Sequence, residues 1–183
     1  MTKQIGMLRG INVGSQNQIR MPVLKELFAQ LGATDIMTYV QSGNVVFTPP
    51  APDTGDFAAR IENQIERVLG LAVRCVLRNT AEMESIVTRN PFLARGEEWR
   101  TLHVTFLAAE PDPVRIETLT VPAHAPDEFI IDRREIFLNC PNGYGQTKLT
   151  NSLWERKLAT VATTRNWNTV TKLLELASVP SGD

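Results

Sequence analysis

The chain is 183 residues long, 43% hydrophobic and 21% charged, with a formal net charge of −1. That length suits one domain or two small ones, and the composition is that of a folded core rather than a disordered chain. The lack of a basic excess excludes the bulk electrostatic footprint of a dedicated duplex-DNA binder.

No apolar run approaches the ~18 residues needed to cross a membrane. Cys75 and Cys140 are the two cysteines. They form no CxxC and join no His/Cys cluster, so no structural zinc site is expected. Residues 1–5 lead straight into strand-like sequence with no basic segment ahead of an apolar run. No signal peptide is expected, and the cytoplasm is the expected compartment.

Residues 3–8 are apolar and bounded by Gly10, which reads as a strand. Met21 and Pro22 open a helix in which Val23, Leu24, Leu27, Phe28 and Leu31 recur at helical spacing, with Gly32 as its stop. Residues 35–40 and 44–48 read as two strands around a tight turn at Gln41-Ser42-Gly43. A stiff proline loop follows at 49–52. A helix from about Gly55 carries Phe57, Ile61, Ile65, Val68 and Leu69 on one face. Residues 71–78 close the set, with Val73, Cys75 and Leu77 alternating against Arg74 and Arg78, so Cys75 is expected to be buried and inert. The order is β-α-β-β-α-β, the split βαβ or ferredoxin-like arrangement. It predicts one four-stranded antiparallel sheet with two helices on a single face. Thr80 is expected to cap a further helix to about Arg89, with Glu82 and Glu84 in its first turn.

The second half repeats the theme. Residues 101–108 read as a strand, Asp112-Pro113 starts a short helix through Leu119, and 128–131 with 135–138 form a hairpin around Asp132-Arg133-Arg134. A helix is expected at 151–158. No closing strand is expected; Trp167, Val170, Leu173, Leu174 and Ala177 mark a C-terminal helix instead. The expected fold class is α+β, with two ferredoxin-like halves, the second incomplete and followed by C-terminal helices. Residues 1–79 and 100–183 form the halves, and 80–99 a linking helix and loop. No residue-level repeat relates them.

Four loop segments are not explained by packing: 8–14, 39–44, 142–148 and 163–168. Each mixes turn-forming residues with hydrogen-bonding side chains, the pattern of binding loops on a rigid scaffold. Gly10 and Gly14 after a strand can open backbone N–H groups toward an anion, or simply permit the turn. Arg9 reads as an anion clamp or as one side of a salt bridge. Gln41, Ser42, Gly43 and Asn44 suit both a binding turn and plain turn chemistry. Gly143 and Gly145 flank Tyr144, and Lys148 precedes a helix, as in a loop that delivers a lysine to a phosphate or in a surface connection. Thr163 or Thr164 reads as a helix cap beside Arg165, Asn166 and Asn168, while Trp167 is either an aromatic binding face or a core anchor.

The segments LRGINVG (8–14), TYVQSGNVVF (38–47), NPF (90–92) and TRNWNT (164–169), in that order, resemble the bacterial domain of unknown function 1697 family over nearly the whole chain. The resemblance implies a cytosolic α+β domain with ferredoxin-like subdomains and implies no activity. Ser15 stands where that family often has a second glycine.

The candidate ligand-binding residues are Arg9, Asn12, Gln41, Ser42, Asn44, Lys148, Arg165, Asn166, Trp167 and Asn168, expected to meet in a cleft between the halves. The leading expectation is a binding module for a phosphorylated ligand, either a nucleotide or a short nucleic acid. Base stacking on the first sheet is not expected, because Phe47 is the one aromatic in its first and third strands. An enzyme of unknown reaction, with phosphoryl or nucleotide chemistry, is the alternative. No Cys–His pair, metal spacing or acid–base couple supports it, and His103 and His124 read as ordinary surface histidines. A homo-oligomer pairing through an exposed strand edge is the third reading. No cofactor, metal or membrane partner is identified.

Overall fold

The computed structural model describes residues 2–50 and 56–180. The chain divides into two compact units, Met1–Glu84 with Lys172–Asp183, and Ser85–Thr171.

In the first unit β1 (Gln4–Leu8) is central, because its Ile5, Met7 and Leu8 are apolar on both faces and fully buried. It pairs antiparallel with β3 (Asn44–Thr48) and β4 (Cys75–Asn79), and β2 (Thr34–Tyr39) pairs with β3 at the edge. The strand order is β2-β3-β1-β4. Helix α1 (Met21–Gln30) starts on Pro22 near its first position, and α2 (Phe57–Leu69) is capped by Asp56 and closed by left-handed Gly70. Leu24, Leu27 and Phe28 of α1 join Phe57, Ile61 and Ile65 of α2 in one apolar cluster with Leu8, Val45, Phe47 and Cys75. The register puts those four strand residues on one sheet face, so both helices cover a single face as expected. Phe47 lies at the centre of that packing, with ring centroids 5.0 Å from Phe28 and 4.8 Å from Phe57. The proline loop at 49–52 lies partly, and the helix start near Gly55 wholly, outside the described residues.

Two of the differences from the expected boundaries have a visible local cause. Strand β4 begins at Cys75, not residue 71, because the chain first turns at Val73, whose N–H bonds the Leu71 carbonyl at 3.1 Å. The cap of α3 (Thr80–Thr88) is Asn79, not Thr80. Asn79 Oδ1 accepts from Glu82 N at 2.8 Å, and Glu82 Oε2 accepts from Asn79 N at 2.8 Å. That is a reciprocal capping box.

The second unit holds the short helix α4 (Pro91–Ala94), then β5 (Leu102–Leu107), α5 (Pro113–Glu117), β6 (Glu128–Asp132), β7 (Glu135–Asn139), α6 (Asn151–Leu158) and β8 (Ala162–Asn166). Helix α7 (Trp167–Ser178) follows directly. The sheet order is β6-β7-β5-β8, all antiparallel. The expectation that the last strand is missing is therefore wrong. Strand β8 reads Ala-Thr-Thr-Arg-Asn, with no large apolar residue, and it is held by pairing with central β5 and by hydroxyl bonds rather than by a hydrophobic pattern. Thr164 Oγ1 lies 2.7 Å from Thr105 Oγ1 and donates to Asn151 Oδ1 at 2.6 Å.

With β8 in place, the units do share a residue-level pattern. Strand β4 ends in Arg78-Asn79 and β8 in Arg165-Asn166, and each asparagine caps the helix that follows. Both arginines are buried, at 1% and 7% exposure, and each donates to the carbonyl of the preceding residue. In register, Arg78 faces Ile5 of β1 and Arg165 faces Val104 of β5. A buried cationic strand end is tolerable only with such hydrogen bonds.

Candidate functional site

The candidate residues fall into two groups, one in each unit. In the first unit the 8–14 loop and the 41–44 turn are tied together. Asn12, at φ 53°, donates through Nδ2 to the Ile19 carbonyl at 2.9 Å and the Gln41 carbonyl at 2.7 Å, and its Oδ1 accepts from Ile19 N at 2.8 Å. Asn44 is fully buried and donates to the Tyr39 carbonyl at 3.0 Å and to Ser42 Oγ at 2.9 Å. The backbone of Arg9 donates to the Arg74 carbonyl at 2.8 Å. The amides of Asn12 and Asn44 are thus spent on loop structure, where they hold the turn against the end of β1.

The second unit carries an open cleft of about 250 Å³. One part of its wall is Trp99, Arg100 and His103, from the 3₁₀ turn at Trp99–Thr101 and the start of β5. The rest is Gly143 and Tyr144 from the glycine loop and Asn166, Trp167 and Asn168 from the β8–α7 junction. His103 and Tyr144 stack with ring centroids 5.1 Å apart, and Tyr144 donates its hydroxyl hydrogen to Thr164 Oγ1 at 3.0 Å. Trp99 is 43% exposed with the Arg100 guanidinium 4.7 Å from its ring centre. Arg100 also meets Glu98 at 3.1 Å in an exposed pair.

His103 is not an ordinary surface histidine. It is half-buried, and burial lowers its pKa from the usual 6.5 against the raising effect of its bond to the Thr101 carbonyl. At neutral pH the ring is neutral. Its Nδ1 lies 3.1 Å from that carbonyl, which fixes the proton on Nδ1 and leaves Nε2 as an acceptor.

Thus Asn166, Trp167 and Asn168 meet the glycine loop at one cleft. Trp167 is also an anchor, at 6% exposure. Arg165 does not join them; it alternates with Thr164 along β8, so it shares the opposite face with Thr163, whose Oγ1 accepts from it at 2.8 Å. The expected cap, Thr163 or Thr164, is Asn166, whose Oδ1 accepts from Thr169 N at 2.8 Å. Lys148 lines a different cavity with His124, Asp127, Asn142 and Gln146. Trp99, Arg100 and His103 were missed by sequence reading. The signal was a tryptophan followed by arginine in the polar stretch 95–100, where no core stripe asks for an indole.

Among the described residues no group of three or more His, Cys, Asp or Glu could hold a metal ion. No helix of the described residues is long and apolar enough to cross a membrane.

The model of a family described as "Protein of unknown function (DUF1697)" matches residues 1–137. No curated protein matches the chain. Among solved structures, the conserved bacterial protein SP0830 from Streptococcus pneumoniae is similar, with a TM-score of 0.66 and 20% identity, over 97% of this chain and 99% of that one. At that identity the likeness shows the fold alone.

Proposed function

This chain belongs to the DUF1697 family of proteins of unknown function, and we propose that it is a binding module for a ligand carrying an aromatic base and a phosphate, a nucleotide or a short single strand. We read both units as ferredoxin-like, since each runs β-α-β-β-α-β with its first strand central. The observation that carries the functional reading is the cleft in which an exposed indole, a stacked His103–Tyr144 pair and the junction asparagines line one space. Aromatic faces bind bases through stacking worth about 1–3 kcal/mol per base. Amide groups such as that of Asn168, exposed and without a side-chain partner among the described residues, can pair with a base edge. A phosphate has Arg100 within reach of the same wall. Its pair with Glu98 is exposed, and such pairs are worth only about 0–1 kcal/mol, so exchange for a phosphate is inexpensive.

A thermal-shift screen over nucleosides, nucleotides, phosphosugars and short oligonucleotides tests this. A nucleotide or oligonucleotide at ~100 times its dissociation constant adds about 2.7 kcal/mol of stability. Phosphosugars, which lack a base to stack, are expected to give a smaller shift. Equal shifts for phosphosugars and nucleotides, or none for either, would count against the reading.

A further inference from the structure

The second unit holds another cavity, of about 120 Å³, walled by residues 123–127 and by Asn142, Gln146 and Lys148. Its walls carry opposite charges that do not meet. Asp127 is 9% exposed, and its backbone N–H donates to the His124 carbonyl at 2.8 Å. Among the described residues its carboxylate has no hydrogen-bond donor and no ion-pair partner. Lys148 is exposed and its ammonium is likewise unpaired among them.

Asp127 lines the cavity, where a carboxylate can take a charge-assisted hydrogen bond from a cationic group placed against it. Cys140, which feels the Asp127 charge, supplies no opposite charge. The buried Cys140 thiol is pushed up to about 11, first by burial and then by the negative charge of Asp127, against a lowering bond to Thr147. Cys140 therefore stays protonated and uncharged near neutral pH. Its burial and its protonation also remove it as a nucleophile.

We propose that this cavity binds a small zwitterion of the free amino acid class, with its ammonium on Asp127 and its carboxylate on Lys148. An anion alone would face Asp127, and a cation alone would face Lys148; a molecule carrying both charges satisfies each wall. The Asn142 and Gln146 amides supply the remaining hydrogen bonds. The volume of about 120 Å³ suits about five non-hydrogen atoms, the size of glycine, given that benzene with its six fills a cavity of about 150 Å³. This site is separate from the Trp99 cleft and does not depend on the reading of that cleft.

The test is a ¹H–¹⁵N correlation titration of the full chain with glycine, alanine, acetate and methylammonium. Glycine and alanine are expected to saturate in the millimolar range, roughly 1–10 mM, with shifts centred on 123–127 and 140–148. Acetate and methylammonium are expected to bind at least about tenfold more weakly, the loss of roughly 1.4 kcal/mol. Lys148→Gln, at an exposed residue with no side-chain bond to lose, and Asp127→Asn are each expected to weaken glycine binding by about tenfold or more. If Asp127→Asn does not fold, the lysine variant and the ligand comparison decide the matter. Shifts still linear at about 100 mM glycine, equal binding of acetate and glycine, or unchanged affinity in Lys148→Gln would each overturn the proposal.

Discussion

Gly43 is the residue on which the first unit's loop cluster turns. It is buried at φ 75°, and a Cβ there would lie 2.7 Å from Ile11 Cδ1 and 2.9 Å from Leu8 Cβ. Its carbonyl accepts from Leu8 N at 2.9 Å, so the turn cannot move away without releasing β1. Gly43→Ala combines left-handed strain of ~1–2 kcal/mol with overpacking of ~1–3 kcal/mol. We expect a loss of about 2–4 kcal/mol in urea unfolding, and a loss under ~1 kcal/mol would show that the turn is pliable. His103 gives a pH signature. Its folded pKa is lowered by burial, so the unfolded chain takes up a proton that the folded chain refuses. The stability it contributes is complete above the ordinary value of 6.5 and is lost as pH falls from there through the lowered folded value. Unfolding free energies measured from pH 8 to pH 5 are expected to fall in that window, and His103→Gln to lose that part of the slope. An identical slope in the variant would place the titration elsewhere.

At the scale of elements, the repeated device is a strand that runs straight into a helix through an asparagine. Asn79 makes both bonds of a capping box, and Asn79→Ala is expected to cost about 1–2 kcal/mol in denaturant unfolding. A loss below ~0.3 kcal/mol would mean that water replaces the cap without penalty. Asn166 makes the equivalent bond to Thr169, and it lines the cleft as well. This junction was the least legible part of the sequence. β1, α1, β3 and α2 show themselves because their apolar residues recur with the period of the element. β8 has no such residues; its Thr164 is satisfied by hydroxyl and amide partners from β5, the glycine loop and α6. A strand specified by remote polar partners leaves no local pattern, so residues 163–168 read as a loop and their arginine as a ligand-facing cation.

For the whole molecule, the two units are alike in element order and sheet order, and they differ in what their loops do. The resemblance carried by LRGINVG and TYVQSGNVVF agrees with the family match, yet the Asn12 and Asn44 side chains of those motifs are consumed in loop structure. The glycine loop and the β8–α7 junction did mark a cleft, though its exposed indole, arginine and histidine lay in a stretch that sequence reasoning passed over. Chain order separates Trp99 from Trp167 by most of a sheet, and β5–β8 pairing, His103 against Asn166, brings their surroundings together. The proposed binding of a nucleotide rests on base stacking in this cleft. Its most direct test is the dissociation constant of adenosine monophosphate for the native chain and for Trp99→Ala, measured by calorimetry. Saturable binding by the native chain is expected, with a loss of about 1–3 kcal/mol, roughly 5- to 150-fold, in the variant. Equal affinity in the two proteins, or no binding by either, would contradict it.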